Sequence, residues 1–265
     1  MTIPYARFRA AVVGLFGFGC SAVEPATVAY SEPAVSRTRM ALKDAQTSLR
    51  DDVVAVLANV QGTDSWCTGI VIEPGLVLTA EHCLGPALPP NEQVDCTTAT
   101  LPVVSTQSNA WVVSADNVKA VATSDYVSVQ NVRLPAGTGR LCGDDIALLE
   151  LASPLPGVSE ITITASLPEA GSQFTAVGYG SDGINSGFRR ENAAAHMTCV
   201  GTQCADNRIA PSELLATSGA CEGDSGSPAL DAEGRSFAMA VRSRALPSAQ
   251  MQAAPSWRAS AARNG

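Results

Sequence analysis

Three short segments of the 265-residue chain contain residue types that together could perform nucleophilic catalysis. They are Leu78–Cys83, Asp144–Leu151 and Cys221–Pro228. A serine hydroxyl is a weak nucleophile at neutral pH, so it needs a neighbouring base that titrates near neutrality. The chain has two histidines, His82 and His196, and His82 lies in the first of these segments. The sequence therefore offers few candidates for a base, and one of them stands in a promising position.

The order His82, Asp145, Ser225 supplies every role that such a site requires. His82 would take the proton of Ser225, while a buried Asp145 would fix the imidazole tautomer and stabilise the imidazolium. Gly223 allows the backbone to turn, so that its N–H and that of Ser225 point to one spot. We therefore predict an oxyanion hole formed by Gly223 and Ser225. Asp144 is the alternative to Asp145 for the carboxylate.

The same segments resemble the catalytic motifs of the chymotrypsin/trypsin-like serine protease family. Thr79–Cys83 (TAEHC) resembles the family's TAAHC, Asp144–Leu151 (DDIALLEL) its DIALL and Cys221–Pro228 (CEGDSGSP) its GDSGGP. Ala176–Gly180 (AVGYG) resembles the stretch that precedes the loops of the family's second barrel. The motifs stand in the family's order, and the resemblance covers roughly residues 53–241.

This resemblance implies an all-β fold of two antiparallel Greek-key β-barrels (chymotrypsin-like) with the catalytic site in the cleft between them. His82 and Asp145 would come from the first barrel, and Ser225 from the second. The implied activity is that of a serine endopeptidase, in which a peptide carbonyl acylates Ser225 and water then hydrolyses the acyl-enzyme. The partner would be a protein or peptide substrate, and no cofactor or metal is required.

Read without the resemblance, the body of the chain is a series of short β-prone runs. Turn residues such as Glu73–Gly75 separate these runs, and no long helical periodicity interrupts them, which favours a sandwich or barrel. The predicted strands are Val53–Leu57, Gly69–Ile72, Leu76–Thr79, Trp111–Ser114, Tyr126–Val132, Ile146–Leu151, Ile161–Thr164, Phe174–Gly178, Met197–Val200, Ala229–Leu230 and Phe237–Val241.

Composition argues against several other classes of protein. The net charge of −8 disfavours a nucleic-acid partner. The 46% of hydrophobic residues disfavours a disordered chain, and the body has no apolar run of membrane-spanning length. His196 with Cys199 and Cys204 fits no standard zinc spacing, so we expect no metal site.

The first 20 residues are typical of a secretory signal. Arg7 and Arg9 precede the apolar run Ala10–Phe18, which is too short to span a bilayer. Gly19 and Cys20 resemble the end of a bacterial lipobox, so lipidation of Cys20 is expected; ordinary cleavage near residues 27–29 and no signal at all are the alternatives. Cleavage of either kind implies export, to the cell envelope through a lipid anchor or by secretion, and hence an oxidising compartment. That anchor would be the chain's contact with a membrane.

The expected domain organisation has four parts. Residues 1–20 are the signal, residues 21–50 a linker or propeptide, residues 51–241 the protease domain and residues 242–265 an atypical low-complexity tail. From residue 235 onwards the sequence has no Asp, Glu, Cys or Tyr, and no alternation or helical periodicity that is long enough to replace the C-terminal elements of the family. We therefore expect a second barrel that is incomplete at its C-terminal side. A shift of reading frame is one explanation for this composition, and a divergent tail is the other.

Cysteine positions fit the family in part. Cys67 and Cys83 match the disulfide beside the catalytic histidine, and two further pairs, Cys96–Cys142 and Cys199–Cys204, are plausible. If Cys20 carries a lipid, Cys221 is left without a partner, because the family's partner would lie in the downstream region that this sequence lacks.

The resemblance also points to the S1 pocket. In this family the residue six positions before the nucleophile lies at the pocket floor, and here it is Gly219. Without an acidic floor, a substrate Arg or Lys has no ion partner, so an apolar or small P1 residue is expected. Ser243 would belong to one wall of the pocket.

Two residues depart from the family pattern. Family members pair the aspartate before the nucleophile, here Asp224, with a new amino terminus that begins Ile-Val-Gly-Gly; no such start exists between residues 30 and 55. Glu81 replaces a small Ala beside the base, and if it packs near His82 it would favour the imidazolium and raise the pH needed for activity.

Two other functions compete with the endopeptidase. The first is a catalytically impaired protease homologue that acts as a binding protein because C-terminal pocket elements are missing. The second is a non-proteolytic acyl hydrolase that uses the same three residues. The intact order of His82, Asp145 and Ser225 favours the protease.

Overall fold

The computed structural model describes residues 45–86, 88, 94–102, 104, 109–136, 139–181, 186–206, 208–217, 220–243 and 249–253, with backbone alone for 243 and 249–253. Thirteen strands dominate this part of the chain. Helical structure among the described residues is limited to a four-residue segment, α1 (Leu141–Asp144), and to 3₁₀ turns at Glu81–Leu84, Thr123–Asp125 and Gly201–Gln203. None of the described helices has the length and apolarity needed to cross a bilayer.

The first barrel is a closed ring of six antiparallel strands. In order around the ring, each strand pairs with the next as β2-β3-β4-β7-β6-β5. Gly75, with φ of 89°, makes the tight turn between β3 and β4 that the Glu73–Gly75 signal predicts. The strands are β2 (Val53–Val60), β3 (Thr63–Glu73), β4 (Leu76–Thr79), β5 (Asn109–Val113), β6 (Val127–Arg133) and β7 (Ala147–Leu151).

The second barrel is a sheet in which β8, β11, β12, β13, β10 and β9 pair in turn, and β9 pairs again with β8. The last pairing joins the two ends of the series, so these six strands also form a ring. The short strand β1 (Gln46–Thr47) adds to the outer side of β9. The strands are β8 (Gln173–Gly178), β9 (Arg190–Val200), β10 (Glu213–Thr217), β11 (Pro228–Leu230), β12 (Ser236–Ser243) and β13 (Ala249–Ala253).

The predicted all-β, two-barrel fold is therefore confirmed, but the expectation of no strand after residue 241 is wrong. β12 runs on to Ser243, and β13 lies between β10 and β12, with Met251 opposite both Leu214 and Ala240. Backbone ladders do not need β-prone side chains once two partner strands flank the segment. The strand β13 was therefore not predicted from its composition, which is rich in Ala and Gln.

Residues 45–50 also pack against the body of the protein, although the sequence placed them in a linker. Gln46 and Thr47 pair with Glu191 and Arg190 of β9. The Ser48 hydroxyl is buried and donates to Glu191 at 2.7 Å.

The segment Ile161–Thr164, predicted as a strand, is not one. It forms a single bridge from Ile163 to Ser236 and carries backbone bonds in both directions. The Ile161 N–H donates to Val71 of the first barrel, and the Thr164 N–H donates to Ser236 of the second. The chain here passes between the barrels, so it has no continuous ladder with either.

An apolar layer joins the two barrels. The aliphatic core of the first barrel continues into five buried residues of the second, which are Val177, Tyr179, Leu230, Met239 and Val241. Because the outer face of β2 is covered by this contact, the stretch from Val53 to Ala58 is buried on both faces. The catalytic motifs lie along the same contact.

Candidate active site

His82 lies in the 3₁₀ turn Glu81–Leu84 that follows β4. Its neighbour Cys83 forms a disulfide with Cys67 of β3, so the turn is tied to the strand beside it. The His82 side chain is about one-seventh exposed, at 15%, which leaves one edge of the imidazole open to a substrate.

Asp145 is fully buried and contacts His82 through both oxygens. Its Oδ1 accepts the His82 backbone N–H at 2.9 Å, and its Oδ2 lies 2.7 Å from His82 Nδ1. The structure brings Asp145 to the imidazole, whereas Asp144 faces the Arg140 backbone N–H at 3.4 Å. A carboxylate in this position favours the tautomer with a proton on Nδ1.

Ser225 lies on the opposite side of the imidazole, in the turn between Cys221 and Pro228. Its Oγ is 2.9 Å from His82 Nε2. The turn is fixed from both barrels, because the Thr68 N–H donates to the Ser225 carbonyl and the Gly226 N–H donates to the Ala240 carbonyl. Gly226 has φ of 88°, and a Cβ there would overlap the Thr68 backbone, so this position requires glycine.

Gly223, the predicted oxyanion residue, also has a positive φ, 96°. Its carbonyl accepts the Thr68 hydroxyl at 2.9 Å, which holds the peptide plane in one orientation. Within the described part of the chain, the N–H groups of Gly223 and Ser225 donate to no protein acceptor.

Asp224 is buried behind the turn. Its Oδ1 accepts the Gly180 N–H at 2.8 Å and its Oδ2 the Cys221 N–H at 2.9 Å. Burial raises the pKa of Asp224 to about 6, against the opposing effects of these two N–H groups and the positive charge of Arg190. Gly178 and Gly180 leave room for the carboxylate, since a Cβ at either position would overlap it. Asp224 is therefore held by backbone donors, within the field of Arg190.

Glu81 packs inward, where the sequence left two orientations open. It is 7% exposed, and burial, together with the charges of Asp145 and Asp144, raises the pKa of Glu81 to about 7, while the charge of His82 lowers it. The buried orientation is the one expected to influence the imidazolium.

The other predicted site residues fall in different places. Gly219 and Cys20 lie outside the described residues. Ser243 is the last residue of β12, described by its backbone alone. His196 is an exposed residue of β9.

The disulfide of Cys67 with Cys83 is present, and so are Cys96–Cys142 and Cys199–Cys204. The expectation that Cys221 is left over is wrong, because it too is disulfide-bonded.

Two clusters among the described residues each bring three possible metal ligands together. Both include disulfide sulfurs, which do not supply the thiolate that a metal ion binds.

Sequence reasoning missed an ion pair that lies near this site. Arg242 of β12 and Glu213 of β10 have almost no exposed side-chain surface and form a two-pronged contact at 2.8 and 2.9 Å. Burial raises the pKa of Glu213, although Arg242 and nearby N–H groups act in the opposite direction. An arginine within the otherwise small and apolar run FAMAV-R-S was the available signal.

A second buried arginine, Arg189, joins the barrels next to β1. It donates to the carbonyls of Ser48 and Val53 at 3.3 and 3.2 Å, and it pairs with Asp116. Tyr179 completes this contact through a 2.7 Å bond from its hydroxyl to the Ala115 carbonyl. These bonds help to set the relative position of the barrels and hence of Ser225 and His82.

Comparison with known proteins identifies the family of this chain. The family model Trypsin matches residues 45–255, and the chain belongs to this family. It is accordingly a serine protease by family, with a protein or peptide as its class of substrate.

Solved structures show the same fold. The structure of GrC is 16% identical, with a TM-score of 0.62 over 82% of this chain and 95% of that chain. The human heparin binding protein is also 16% identical, with a TM-score of 0.59 over 84% of this chain and 97% of that chain. At this identity the likeness concerns the fold alone.

Proposed function

We propose that the chain is an exported serine endopeptidase in which Ser225 is the nucleophile, His82 the base and Asp145 the orienting carboxylate. The observation that carries this proposal is the position of the His82 imidazole, 2.7 Å from Asp145 on one side and 2.9 Å from Ser225 on the other. These distances lie in the range required for proton transfer between nucleophile, base and orienting group.

The reaction follows from that arrangement. His82 Nε2 accepts the Ser225 proton as Oγ attacks the peptide carbonyl, and Asp145 stabilises the resulting imidazolium. The Gly223 and Ser225 N–H groups are the donors for the oxyanion of the tetrahedral intermediate. His82 then donates this proton to the leaving amine. In the second half of the reaction, a water molecule that gives its proton to His82 attacks the acyl-enzyme, and His82 returns the proton to Ser225 as the carboxylic acid is released.

Two finer features belong to the same proposal. The first is an S1 pocket with Gly219 at its floor and Ser243 in its wall, which would take an apolar or small side chain rather than Arg or Lys. The second is export through the N-terminal signal, either by ordinary cleavage near residues 27–29 or with lipidation at Cys20. Either form requires Cys221 to be without its disulfide, because Cys20 is then removed or lipidated and the other six cysteines are paired with one another. Mass spectrometry of the mature protein separates lipidation from ordinary cleavage, since a lipid adds mass to a chain that begins at residue 20.

Labelling with a serine-reactive fluorophosphonate tests the triad directly. We expect labelling of the folded chain that is lost in Ser225→Ala and strongly reduced in His82→Ala. Ser227→Ala is the matched control, because Ser227 is a buried serine of the same turn that does not contact the imidazole. A folded chain that does not react, or that still reacts as Ser225→Ala, contradicts the proposal and favours the non-catalytic binding protein.

A peptide library and a matched ester library follow. Hydrolysis of peptides supports an endopeptidase, whereas turnover of esters without peptides favours the non-proteolytic acyl hydrolase. Cleavage after Arg or Lys would contradict the proposed S1 preference and leave the triad assignment intact.

A further inference from the structure

The segment that delivers Asp145 to the site is held by the second barrel as well as by its own. α1 immediately precedes Asp145, and its torsions at Cys142 and Gly143 are not helical. A segment this short and irregular has little intrinsic stability, so its position depends on outside contacts. Those contacts decide where the Asp145 carboxylate lies.

First-barrel contacts account for part of the anchoring. The Leu141 N–H donates to the Ala99 carbonyl at 3.0 Å, and Cys142 is bonded to Cys96. Ala99 and Cys96 both belong to the long connection between the Glu81–Leu84 turn and β5. These contacts therefore tie one irregular segment to another, rather than to a strand.

The buried pair of Arg242 and Glu213 supplies two further anchors, both from the second barrel. Arg242 Nη1 donates to the Leu141 carbonyl at 3.0 Å, and the Gly143 N–H donates to the Glu213 carboxylate. Glu213 also accepts the Ala210 N–H at 2.9 Å. Each member of the ion pair thus holds one end of α1 and at the same time belongs to a strand of the second barrel.

Gly143 fits this arrangement sterically. Its φ of 94° suits glycine, and a Cβ there would collide with the Ser212 hydroxyl, beside Glu213. The backbone of α1 therefore lies close to side chains at the start of β10, and the Gly143 N–H reaches the buried Glu213 carboxylate.

We propose that Arg242 and Glu213 are positioning residues for catalysis, which hold α1 so that Asp145 meets His82. The proposal rests on the proposed function of the triad and adds two residues that never touch substrate. Through them, the barrel that carries Ser225 also sets the carboxylate that orients its base.

Buried ion pairs can often be replaced by apolar residues without loss of stability, whereas removal of one partner alone leaves an unpaired charge. This difference separates positioning from simple stabilisation. Arg242→Met is expected to lower the melting temperature and to slow fluorophosphonate labelling at least tenfold. The double variant Arg242→Met with Glu213→Leu should recover the melting temperature yet label at least tenfold slower than wild type, because the Leu141 carbonyl and the Gly143 N–H then lose the bonds that Arg242 and Glu213 make to them.

Two further variants serve as controls for this test. Arg235→Met is the matched control, since Arg235 is a partly exposed arginine of the β11–β12 turn that pairs with Asp231, and it should label at the wild-type rate. Arg242→Lys keeps the charge, so it should fold even if the double variant does not. A single ammonium lacks the planar fork that reaches Glu213 and Leu141 together, and labelling should slow several-fold.

A second readout does not depend on activity. The His82 Nδ1 proton, bonded to a carboxylate, should give a far-downfield NMR resonance, which His196→Gln assigns because the chain has two histidines. This signal should weaken or move in the double variant and stay unchanged in Arg235→Met.

A double variant that labels at the wild-type rate with the resonance intact overturns the positioning role, and so does a lysine variant indistinguishable from wild type. If the wild-type protein does not label but its resonance responds to Arg242 as described, the positioning role stands and the proposed endopeptidase fails.

Discussion

The two barrels are built from different core residues. The first has an aliphatic core of mostly Val, Ile and Leu that continues into the contact between the barrels. The separate core of the second barrel contains, among the described residues, ten buried members, of which six are alanines, with Phe174 and Phe237 in edge-to-face contact at 5.6 Å. Alanine buries little area, so packing energy in the second barrel is concentrated in a few large side chains.

The second barrel also contains more buried charged side chains than the first among the described residues, and each of them has hydrogen-bond partners. Asp224 supports the Ser225 turn, Arg242 and Glu213 hold α1, and Arg189 joins the barrels. Such groups contribute little net stability but specify geometry, because each demands its partners. The first barrel therefore supplies a rigid aliphatic support together with the pair of His82 and Asp145, while the buried charges of the second barrel help to align the Ser225 turn and α1 with that pair.

The largest expected effect is on activity, at Asp224. In Asp224→Asn the new amide N–H₂ faces either the Gly180 or the Cys221 N–H, so one of the two bonds that hold the turn becomes repulsive. Because the oxyanion donors flank this residue, we expect labelling of Ser225 to slow by about 10²–10³. Glu222→Gln, at the exposed neighbouring position, is the control, and equal rates for the two variants would refute this role.

The next effect is on stability and compares the two cores. Phe237→Ala should lower the free energy of unfolding by about 4 kcal/mol, because small neighbouring alanines cannot fill the space. Ile70→Val in the first barrel, equally buried, should cost about 1 kcal/mol. Urea denaturation measures both, and a smaller loss for Phe237→Ala than for Ile70→Val would contradict the contrast between the cores.

A smaller effect concerns pH and Glu81. The pKa of about 7 exceeds the ordinary 4.5, so the folded state binds the proton more tightly and stability falls as pH rises from about 4.5 to 7. Glu81→Gln removes this loss, and it should stabilise the protein by about 2 kcal/mol at pH 8 relative to its effect at pH 4.

Melting curves of the wild type and of Glu81→Gln at pH 4 and pH 8 measure this effect on stability. Glu160→Gln, an exposed glutamate, is the control; a Glu81→Gln effect on stability that is independent of pH would contradict the buried, titrating carboxyl.

The smallest effect lies on the surface of the first barrel. Arg133 pairs with Glu150 across β6 and β7, but the arginine side chain is 63% exposed. Arg133→Ala should change the free energy of unfolding by about 0.5 kcal/mol or less, and less still at high salt. A loss comparable to that of Phe237→Ala would mean that surface charge, and not only buried charge, organises this fold.

The sequence predicts the parts of this fold in which local pattern and tertiary structure agree. Strands rich in Val and Leu, such as β2 and β4, and the turn at Gly75 follow from side-chain chemistry alone. Glu213–Thr217 and Ala249–Ala253 were missed because their strand state depends on neighbours that are distant in sequence. Ile161–Thr164 has strand-forming residues but no continuous partner.

In the candidate site, too, the sequence predicts what local motifs determine and misses what depends on tertiary contacts. His82, Asp145 and Ser225 were found because the chemistry restricts the residue types and the motifs fix their order. Arg242 and Glu213 were not found, because a charged residue in a sequence is ordinarily exposed; the apolar run before Arg242 was a signal for that residue, but nothing in the sequence shows that Glu213 is its partner. The sequence also left the orientation of Glu81 open, because a side chain in a short turn can point either into the protein or toward solvent.

The place of β13 in the ring has a consequence for synthesis. All six strands of the first barrel have been made once residue 151 is translated, so that half can fold early, as N-terminal units generally do. The other ring cannot close until residues 249–253 have emerged, and until then β10 and β12 lack the strand between them. Ser225 is therefore expected to meet His82 in its final geometry only after residues 249–253 have been made. Among the described strands β13 is the last to be synthesised, so the proposed catalytic site would remain unformed in a nascent chain that lacks it.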